Sequence, residues 1–223
     1  MNETVDKYCE RLDASFWSEP LNAITNFAFI VACLLALYAW RQGASRSAPA
    51  LLLSLWIGVI GVGSFLFHTF ATRWALAADS LPILIFILAY VYLAMRDYLG
   101  LTAWISLAIV FFYIVASVVA TPLLTRVAGS SAGYMTALIA MVVVAALVRG
   151  KDRPVSNGLF VTAAVFCASI GFRMIDLPLC ETVAMGTHFV WHILNAVVLY
   201  ALARIYIDSR ERTVAVASMP RGH

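Results

Sequence analysis

A run of 24 residues, APALLLSLWIGVIGVGSFLFHTFA at 48–71, contains no Asp, Glu, Lys or Arg. A helix needs about 20 mainly apolar residues to cross a hydrocarbon core about 30 Å thick. Inside lipid there is no water to pair with backbone N–H and C=O groups, so a spanning segment has to pair them internally. The run therefore predicts a transmembrane α-helix.

Six further apolar runs of similar length lie on either side of this one. The fifth span of the resulting seven is the weakest, because Thr121-Pro122 and Gly129-Ser130-Ser131 punctuate the chain around it. Spans four and five can therefore also be divided differently. The sequence predicts an all-α, integral membrane bundle of seven transmembrane helices, with the other six spans at 20–40, 75–95, 101–120, 130–148, 155–175 and 183–206.

The composition supports a membrane protein of one domain covering residues 1–223. The chain is 63% hydrophobic and 12% charged, against about 45–50% and about 25% in soluble domains. Because no basic stripe interleaved with aromatic residues occurs, the net charge of +3 does not indicate nucleic-acid binding. The N-terminal segment at 1–19 is acidic and does not resemble a cleavable signal peptide. A basic tail at 207–223 ends the chain.

The distribution of positive charge predicts the orientation, since short cytoplasmic connections are enriched in Lys and Arg. With the N-terminus outside and the C-terminus cytoplasmic, ten such residues lie inside and five outside. The inner set is Arg41, Arg46, Arg96, Arg149, Lys151, Arg153, Arg204, Arg210, Arg212 and Arg221, and the outer set is Lys7, Arg11, Arg73, Arg126 and Arg173.

Five polar residues within the spans fall at one depth under this orientation. Ser64 and His68 are one helical turn apart near the outer end of span two. His188 and His192 form an i, i+4 pair near the outer start of span seven, and Asp79 lies near the outer start of span three. Ionisable residues in a membrane are costly and often functional. The outer half of the bundle is therefore the candidate site.

The three histidines suit a catalytic zinc ion, which is commonly bound by three neutral imidazoles and keeps a fourth coordination position open for a water. Asp79 could orient or deprotonate a water there, and Ser64 could donate a hydrogen bond to a developing oxyanion. Other interpretations stay open, since single intramembrane histidines are usually packed, hydrogen-bonded residues. Paired histidines can also serve a proton relay or ligate haem iron.

Two further groups of residues lie on the predicted outer side. Hard oxygen ligands precede span one, and their density suits a calcium ion, although their spacing alone favours a solvated acidic segment; they are Asp6, Glu10, Asp13, Glu19 and Asn22. Cys9 and Cys180 are also outside, where an oxidising compartment permits a disulfide. Cys33 and Cys167 lie within spans and are expected to pack there.

Several short motifs resemble the alkaline ceramidases in their order and in the spans that carry them. The motifs are YCER at 8–11, FWSEPLNAITN at 16–26, GVGSFLFH at 61–68, DSLP at 79–82, Arg173-x-x-Asp176, Cys180-Glu181, and HFVWHIL at 188–194. The resemblance implies a seven-helix membrane amidohydrolase acting on linear amides, in the superfamily that includes adiponectin receptors. It also implies an intramembrane zinc and hydrolysis of the amide bond of ceramide, a step of sphingolipid metabolism.

Carried over by position, the resemblance assigns the zinc ligands to His68, His188 and His192, and places Ser64 and Asp79 beside them. It matches Glu10, Glu19 and Asn22 to a calcium site and Cys9 with Cys180 to a disulfide. The chain differs from the family's usual N-terminal pattern at Lys7, Tyr8 and Leu12. The short loops indicate a compact member, for which an N-acylated lipid other than ceramide is an equally suitable substrate.

Two other functions use the same residues. One is a receptor-like relative that keeps the metal for structure and catalyses nothing. The other is a proton-coupled transporter that uses the ionisable residues to carry protons. The presence of Ser64 and Asp79 beside the expected ligands favours an enzyme that cleaves a lipid amide within the bilayer and releases a fatty acid and an amine.

Overall fold

The computed structural model describes residues 1–218, which fold into eight α-helices. Within that range no strand is formed, apart from a single antiparallel bridge between Thr4 and Thr72. The helices are α1 (Pro20–Thr25), α2 (Phe27–Gln42), α3 (Ala48–Phe70), α4 (Arg73–Leu93, continued by a π-helical turn at Ala94–Tyr98), α5 (Ala103–Ala128), α6 (Ala132–Val148), α7 (Arg153–Met174) and α8 (His188–Ala217).

Six helical segments among the described residues are long and apolar enough to cross a membrane. The prediction of an all-α, multi-pass membrane protein is therefore confirmed, whereas the count of seven spans is not. One of the six segments runs from Ala103 to Val148 and has 46 residues. At a rise of about 1.5 Å per residue such a segment is roughly twice as long as a bilayer core is thick.

This long segment is bent into two helices that pack side by side. A 3-10 turn at Gly129–Ser131 separates α5 from α6, and Gly129 has a φ of 52°, which suits glycine. The hydroxyl groups of Tyr113 and Ser117 on α5 contact the Thr136 hydroxyl on α6. The break therefore lies at Gly129, while α5 continues through Pro122 instead of ending near residue 120.

The last helix differs most from its predicted bounds. It begins at His188 instead of residue 183 and continues to Ala217 instead of 206. Most of the stretch predicted as a basic tail is therefore helical. The tail residues Arg221 and His223 lie outside the described part of the chain.

The outward faces of the helices are apolar, as a lipid environment requires. On α5, Phe112 is 67% exposed and Val119 is 73% exposed, and only two residues of this helix are buried. Contiguous apolar surface of this extent is rare on soluble monomers. The buried core lies between α2, α3, α4, α6, α7 and α8.

The N-terminal segment covers one end of the bundle. The Val5 N–H donates to the Ala71 carbonyl (2.7 Å), and the Arg73 N–H donates to the Glu3 carbonyl (3.1 Å). A disulfide between Cys9 and Cys180 joins the segment to the connection between α7 and α8. The segment thus lies over the ends of α3 and α8 that carry the histidines. The side of the membrane that this end faces stays a prediction.

Gly63 lets α3 approach α4 closely. A Cβ atom at this position would overlap the backbone carbonyl of Ala78, whereas a Cβ at Gly133 on α6 would meet open space. We expect Gly63→Ala to destabilise the protein by about 1–3 kcal/mol, the usual cost of overpacking. Thermal unfolding of the purified protein measures the effect, with Gly133→Ala as the matched control. Equal unfolding temperatures for the two variants would contradict this packing.

Candidate metal centre

Three buried histidines meet between α3 and α8. His68 lies in the last turn of α3, His188 is the first residue of α8, and His192 follows one turn later. Their exposed fractions are 0%, 2% and 1%. One ring nitrogen from each lies within 4.8 Å of the other two, and no other group of His, Cys, Asp or Glu in residues 1–218 is arranged in this way.

Two neighbouring side chains orient these rings. Nδ1 of His68 lies 2.5 Å from a carboxylate oxygen of Glu19, and Nδ1 of His192 lies 3.0 Å from the Thr25 hydroxyl. The Thr25 hydroxyl in turn donates to the Leu21 carbonyl at 2.8 Å. A carboxylate can only accept a hydrogen bond, which places the ring proton of His68 on Nδ1. Its Nε2 lone pair is then directed away from Glu19.

Glu19 is held as a carboxylate although it is buried at the start of α1. Burial alone would raise the pKa of the Glu19 carboxyl. The hydrogen bonds from His68 and Arg11 outweigh burial and hold that pKa below its ordinary value. An ionised partner on Nδ1 increases the basicity of the opposite ring nitrogen, as is common for histidines that bind metals.

Each of the three rings also has a buried nitrogen without a hydrogen-bond partner: Nε2 of His68, Nδ1 of His188 and Nε2 of His192. Unpaired buried polar atoms are rare, because each one costs free energy. Three from one small cluster indicate a ligand that would pair with them. Three neutral imidazoles are a frequent donor set for zinc. The residues therefore fit a metal ion, and their chemistry is consistent with zinc.

The Tyr8 ring packs against His188 and is itself held by Arg173. The Tyr8 ring stacks on the His188 ring with a centroid separation of 3.6 Å and an interplanar angle of 15°. The Arg173 guanidinium donates to the Tyr8 hydroxyl at 3.1 Å and to the hydroxyls of Ser130 and Ser131. This packing fixes the His188 ring and separates it from the surface of the protein.

Asp176 joins the N-terminal segment to the start of α8. One carboxylate oxygen accepts the Cys9 N–H at 3.0 Å, and the other accepts the N–H groups of Thr187 and His188 at 2.6 and 2.9 Å. Asp176 is 1% exposed. Its carboxylate therefore positions His188 through the backbone, and the disulfide between Cys9 and Cys180 closes the same junction.

We expect Asp176→Ala to lower the free energy of unfolding by roughly 3 kcal/mol or more, because it leaves three backbone N–H groups without an acceptor. The matched control is Asp208→Ala, which removes an exposed carboxylate paired with Arg204 and should change the free energy by less than about 1 kcal/mol. Denaturant unfolding of both variants checks the expectation. A similar loss in the two proteins would rule out the structural role of Asp176.

Ser64 and Asp79 lie beside the histidines. Ser64 is one turn before His68 on α3, and the close approach at Gly63 brings α3 against the backbone of Ala78 and Asp79. The Asp79 carboxyl is 8% exposed and lies next to the Ser64 hydroxyl. Ser64 and Asp79 are therefore neighbours, with Ser64 one helical turn from His68, which in turn lies against His188 and His192.

The residues predicted to bind calcium make separate contacts. Both carboxylate oxygens of Glu10 accept backbone N–H groups, those of Leu21 and Asn22, at 2.7 and 2.8 Å. Asp13 is exposed, and its carboxylate accepts a local backbone N–H. Glu19 is bound to the His68 ring, and the side-chain oxygen of Asn22 is buried without a partner. Calcium binding stays a prediction.

An apolar cavity of about 60 Å³ begins one turn deeper in the bundle. It lies between α4, α6, α7 and α8, on the core side of Asp79 and His192. Its lining is almost entirely apolar and aromatic and includes Ile83, Phe86, Tyr90, Tyr134, Phe166 and Asn195.

Sequence reasoning alone does not assign Thr25 or Asp176 a role in the site. Thr25 lies within the motif at 16–26, and its spacing of three residues from Asn22 places both on one face of a helical turn. Asp176 lies within Arg173-x-x-Asp176. Both residues thus lie in a recognisable motif, but their partners depend on the tertiary fold. Thr25 contacts His192, which is 167 residues away, and Asp176 contacts the Cys9 N–H.

Comparison with known proteins identifies the family of this chain. No curated protein matches the chain. The profile of the protein family described as Ceramidase matches residues 5–215, a range that includes the three histidines, Ser64, Asp79 and the N-terminal segment. Since the match covers nearly the whole chain, this protein belongs to the ceramidase family of membrane hydrolases.

Proposed function

We propose that the protein is a zinc-dependent intramembrane hydrolase. It cleaves the amide bond of ceramide or a similar N-acylated lipid to a free fatty acid and an amine of the sphingoid type. The observation that carries this proposal is the cluster of three buried histidines with unpaired ring nitrogens. Membership of the ceramidase family supports the reaction class.

The zinc ligands in this proposal are His68, His188 and His192. A zinc ion held there would polarise the amide carbonyl and make water a nucleophile near neutral pH. Glu19 and Thr25 each hold the opposite nitrogen of a ligand ring, which keeps two of the three lone pairs directed at the centre. Tyr8 packs over His188 and is held there by Arg173, which limits the access of bulk water.

Asp79 is the general base of the reaction. Its carboxylate takes a proton as water adds to the carbonyl carbon, and it returns a proton to the nitrogen as the C–N bond breaks. The Ser64 hydroxyl donates a hydrogen bond to the carbonyl oxygen as negative charge develops on it. The water supplies the acid's hydroxyl group and the proton that the amine gains, so the products balance.

The apolar cavity supports a lipid substrate. Its apolar lining one turn below Asp79 and His192 suits the first methylene groups of an acyl chain that extends into the bundle from an amide bond at the histidines. Under the predicted orientation the site lies in the outer half of the membrane, at the depth of lipids in the outer leaflet. No specific observation favours the receptor-like or transport function.

The proposal is tested by the metal content of protein purified without added metal. Elemental analysis should find about one zinc per chain and little of other transition metals. A preparation that is correctly folded but nearly free of zinc, and that does not take up zinc when it is offered, would exclude this function and favour the transporter.

A further inference from the structure

The Arg11 guanidinium is buried between the N-terminal segment and the end of α3. Its Nε lies 2.5 Å from Oε1 of Glu19, and the two side chains are 4% and 1% exposed. Nη1 donates to the Asp13 backbone carbonyl at 3.1 Å, and Nη2 donates to the His68 backbone carbonyl at 3.0 Å. Three oxygens from three parts of the chain thus converge on one cation.

This cation contacts two of the residues that the sequence leads one to expect as calcium ligands, Asp13 and Glu19. Calcium requires six to eight oxygen ligands at about 2.3–2.6 Å. Of the expected ligands, Glu19 is shared between Arg11 and His68, and Asp13 offers its backbone carbonyl to Arg11 instead of its carboxylate to an ion. Both carboxylate oxygens of Glu10 are bound to backbone N–H groups. A dication among these oxygens would also be repelled by the guanidinium.

The contacts of Arg11 lead directly to a proposed zinc ligand. One carboxylate oxygen of Glu19 accepts from Arg11, and the other accepts from Nδ1 of His68. The same guanidinium holds the backbone carbonyl of His68. Arg11 therefore fixes both the backbone of His68 and the partner of its ring. A planar guanidinium with several N–H donors suits this role better than the point charge of a lysine.

We propose that the guanidinium of Arg11 is the cation of this site. It replaces calcium by neutralising Glu19 and positions His68 through it, so the metal centre is ordered without calcium. The positioning role rests on the proposed function, because it takes His68 as a zinc ligand, whereas the independence from calcium does not. Arg11 is a positioning residue, since it contacts neither the cluster of free ring nitrogens nor a substrate.

The first experiment uses the unmodified, full-length protein in detergent micelles and calcium-depleted buffer. Calorimetric titration with calcium chloride should detect no saturable binding, and millimolar calcium should leave the thermal unfolding midpoint unchanged. Saturable binding near one calcium per chain, together with a raised midpoint, would overturn the proposal. This result does not depend on any lipid being hydrolysed, so it separates a failure of this proposal from a failure of the proposed function.

The second experiment compares Arg11→Met with Arg11→Lys. Removing one partner of a buried ion pair is strongly destabilising, and we expect Arg11→Met to lower the unfolding midpoint by on the order of 10 °C. Loss of the support for His68 should weaken zinc binding about 10–100-fold, as other losses of support to a ligand do. Arg11→Lys should retain part of the unfolding midpoint and part of the zinc affinity, because it keeps the charge but not the three directed hydrogen bonds.

The matched control is Arg73→Met, because Arg73 forms an ion pair with Glu3 in which both side chains are more than half exposed. This variant should keep the unfolding midpoint and the zinc affinity of the parent protein. In cobalt-substituted protein, the absorption bands that report coordination should change in Arg11→Met only. An Arg11→Met protein with unaltered midpoint, zinc affinity and cobalt spectrum would overturn the proposal. If Arg11→Met does not fold, the calcium titration of the parent protein tests the proposal by itself.

Discussion

Substitution of His188 or His192 with alanine is expected to abolish both bound zinc and lipid amide hydrolysis. Each histidine supplies one of only three ring nitrogens that converge in the centre, and all three are buried. Loss of a residue that merely orients a ligand already costs about 10–100-fold in metal affinity or activity. Loss of a ligand itself should lower turnover by more than about 100-fold.

The control for this prediction is Ile207→Ala, a truncation of another buried side chain on α8. It should destabilise the protein by about 2–5 kcal/mol through the cavity that it leaves, but the folded fraction should keep its zinc and its turnover. Elemental analysis and fatty acid release, both normalised to folded protein, distinguish the variants. Full activity in His188→Ala or His192→Ala would contradict the assignment of the ligands.

Asp79→Asn is expected to lower turnover by about 10²–10⁴-fold while leaving zinc in place, because general acid–base catalysis contributes in that range. Asparagine has nearly the same size and keeps a polar group beside Ser64, but it cannot take a proton from water. The rate constant for hydrolysis should fall, and the amount of bound zinc should stay at the parent value.

The matched control is Asp97→Asn, which removes a carboxylate at the opposite end of the same helical segment, where Asp97 accepts a hydrogen bond from Tyr206. This change should leave the turnover of folded protein unaltered. Ser64→Ala should have a smaller effect than Asp79→Asn, about 10²-fold for the loss of one donor to a developing oxyanion. If Asp79→Asn kept the parent rate, Asp79 would not be the base.

Much of the membrane architecture could be predicted because the runs of apolar residues determine it locally. The bounds of α3, α6 and α7 lie within two residues of the predicted spans. The α5–α6 boundary was harder to place, because both Pro122 and Gly129 disfavour a regular helix. The choice depends on the left-handed φ at Gly129 and on side-by-side packing, which a single sequence does not reveal.

The histidine cluster could be anticipated because the predicted orientation of the spans places histidines that are far apart in the chain at one depth in the membrane. The side chains that support the cluster could not be anticipated in this way. Glu19 is equally suitable as a calcium ligand or as a partner of a histidine, and its real partners are His68 and Arg11, 49 and 8 residues away. The acidic residues alone suggest a calcium site, whereas in the structure Glu19 is paired with the guanidinium of Arg11.

The most direct test of the central claim is fatty acid release by protein stripped of metal and then reloaded with zinc. Mass spectrometry would follow the products from a panel of N-acylated lipids that includes ceramide. We predict no release from the stripped protein, and release from at least one lipid of the panel after zinc is restored. Equal hydrolysis with and without zinc, or no hydrolysis of any lipid by folded, zinc-loaded protein, would contradict a zinc-dependent lipid amidase.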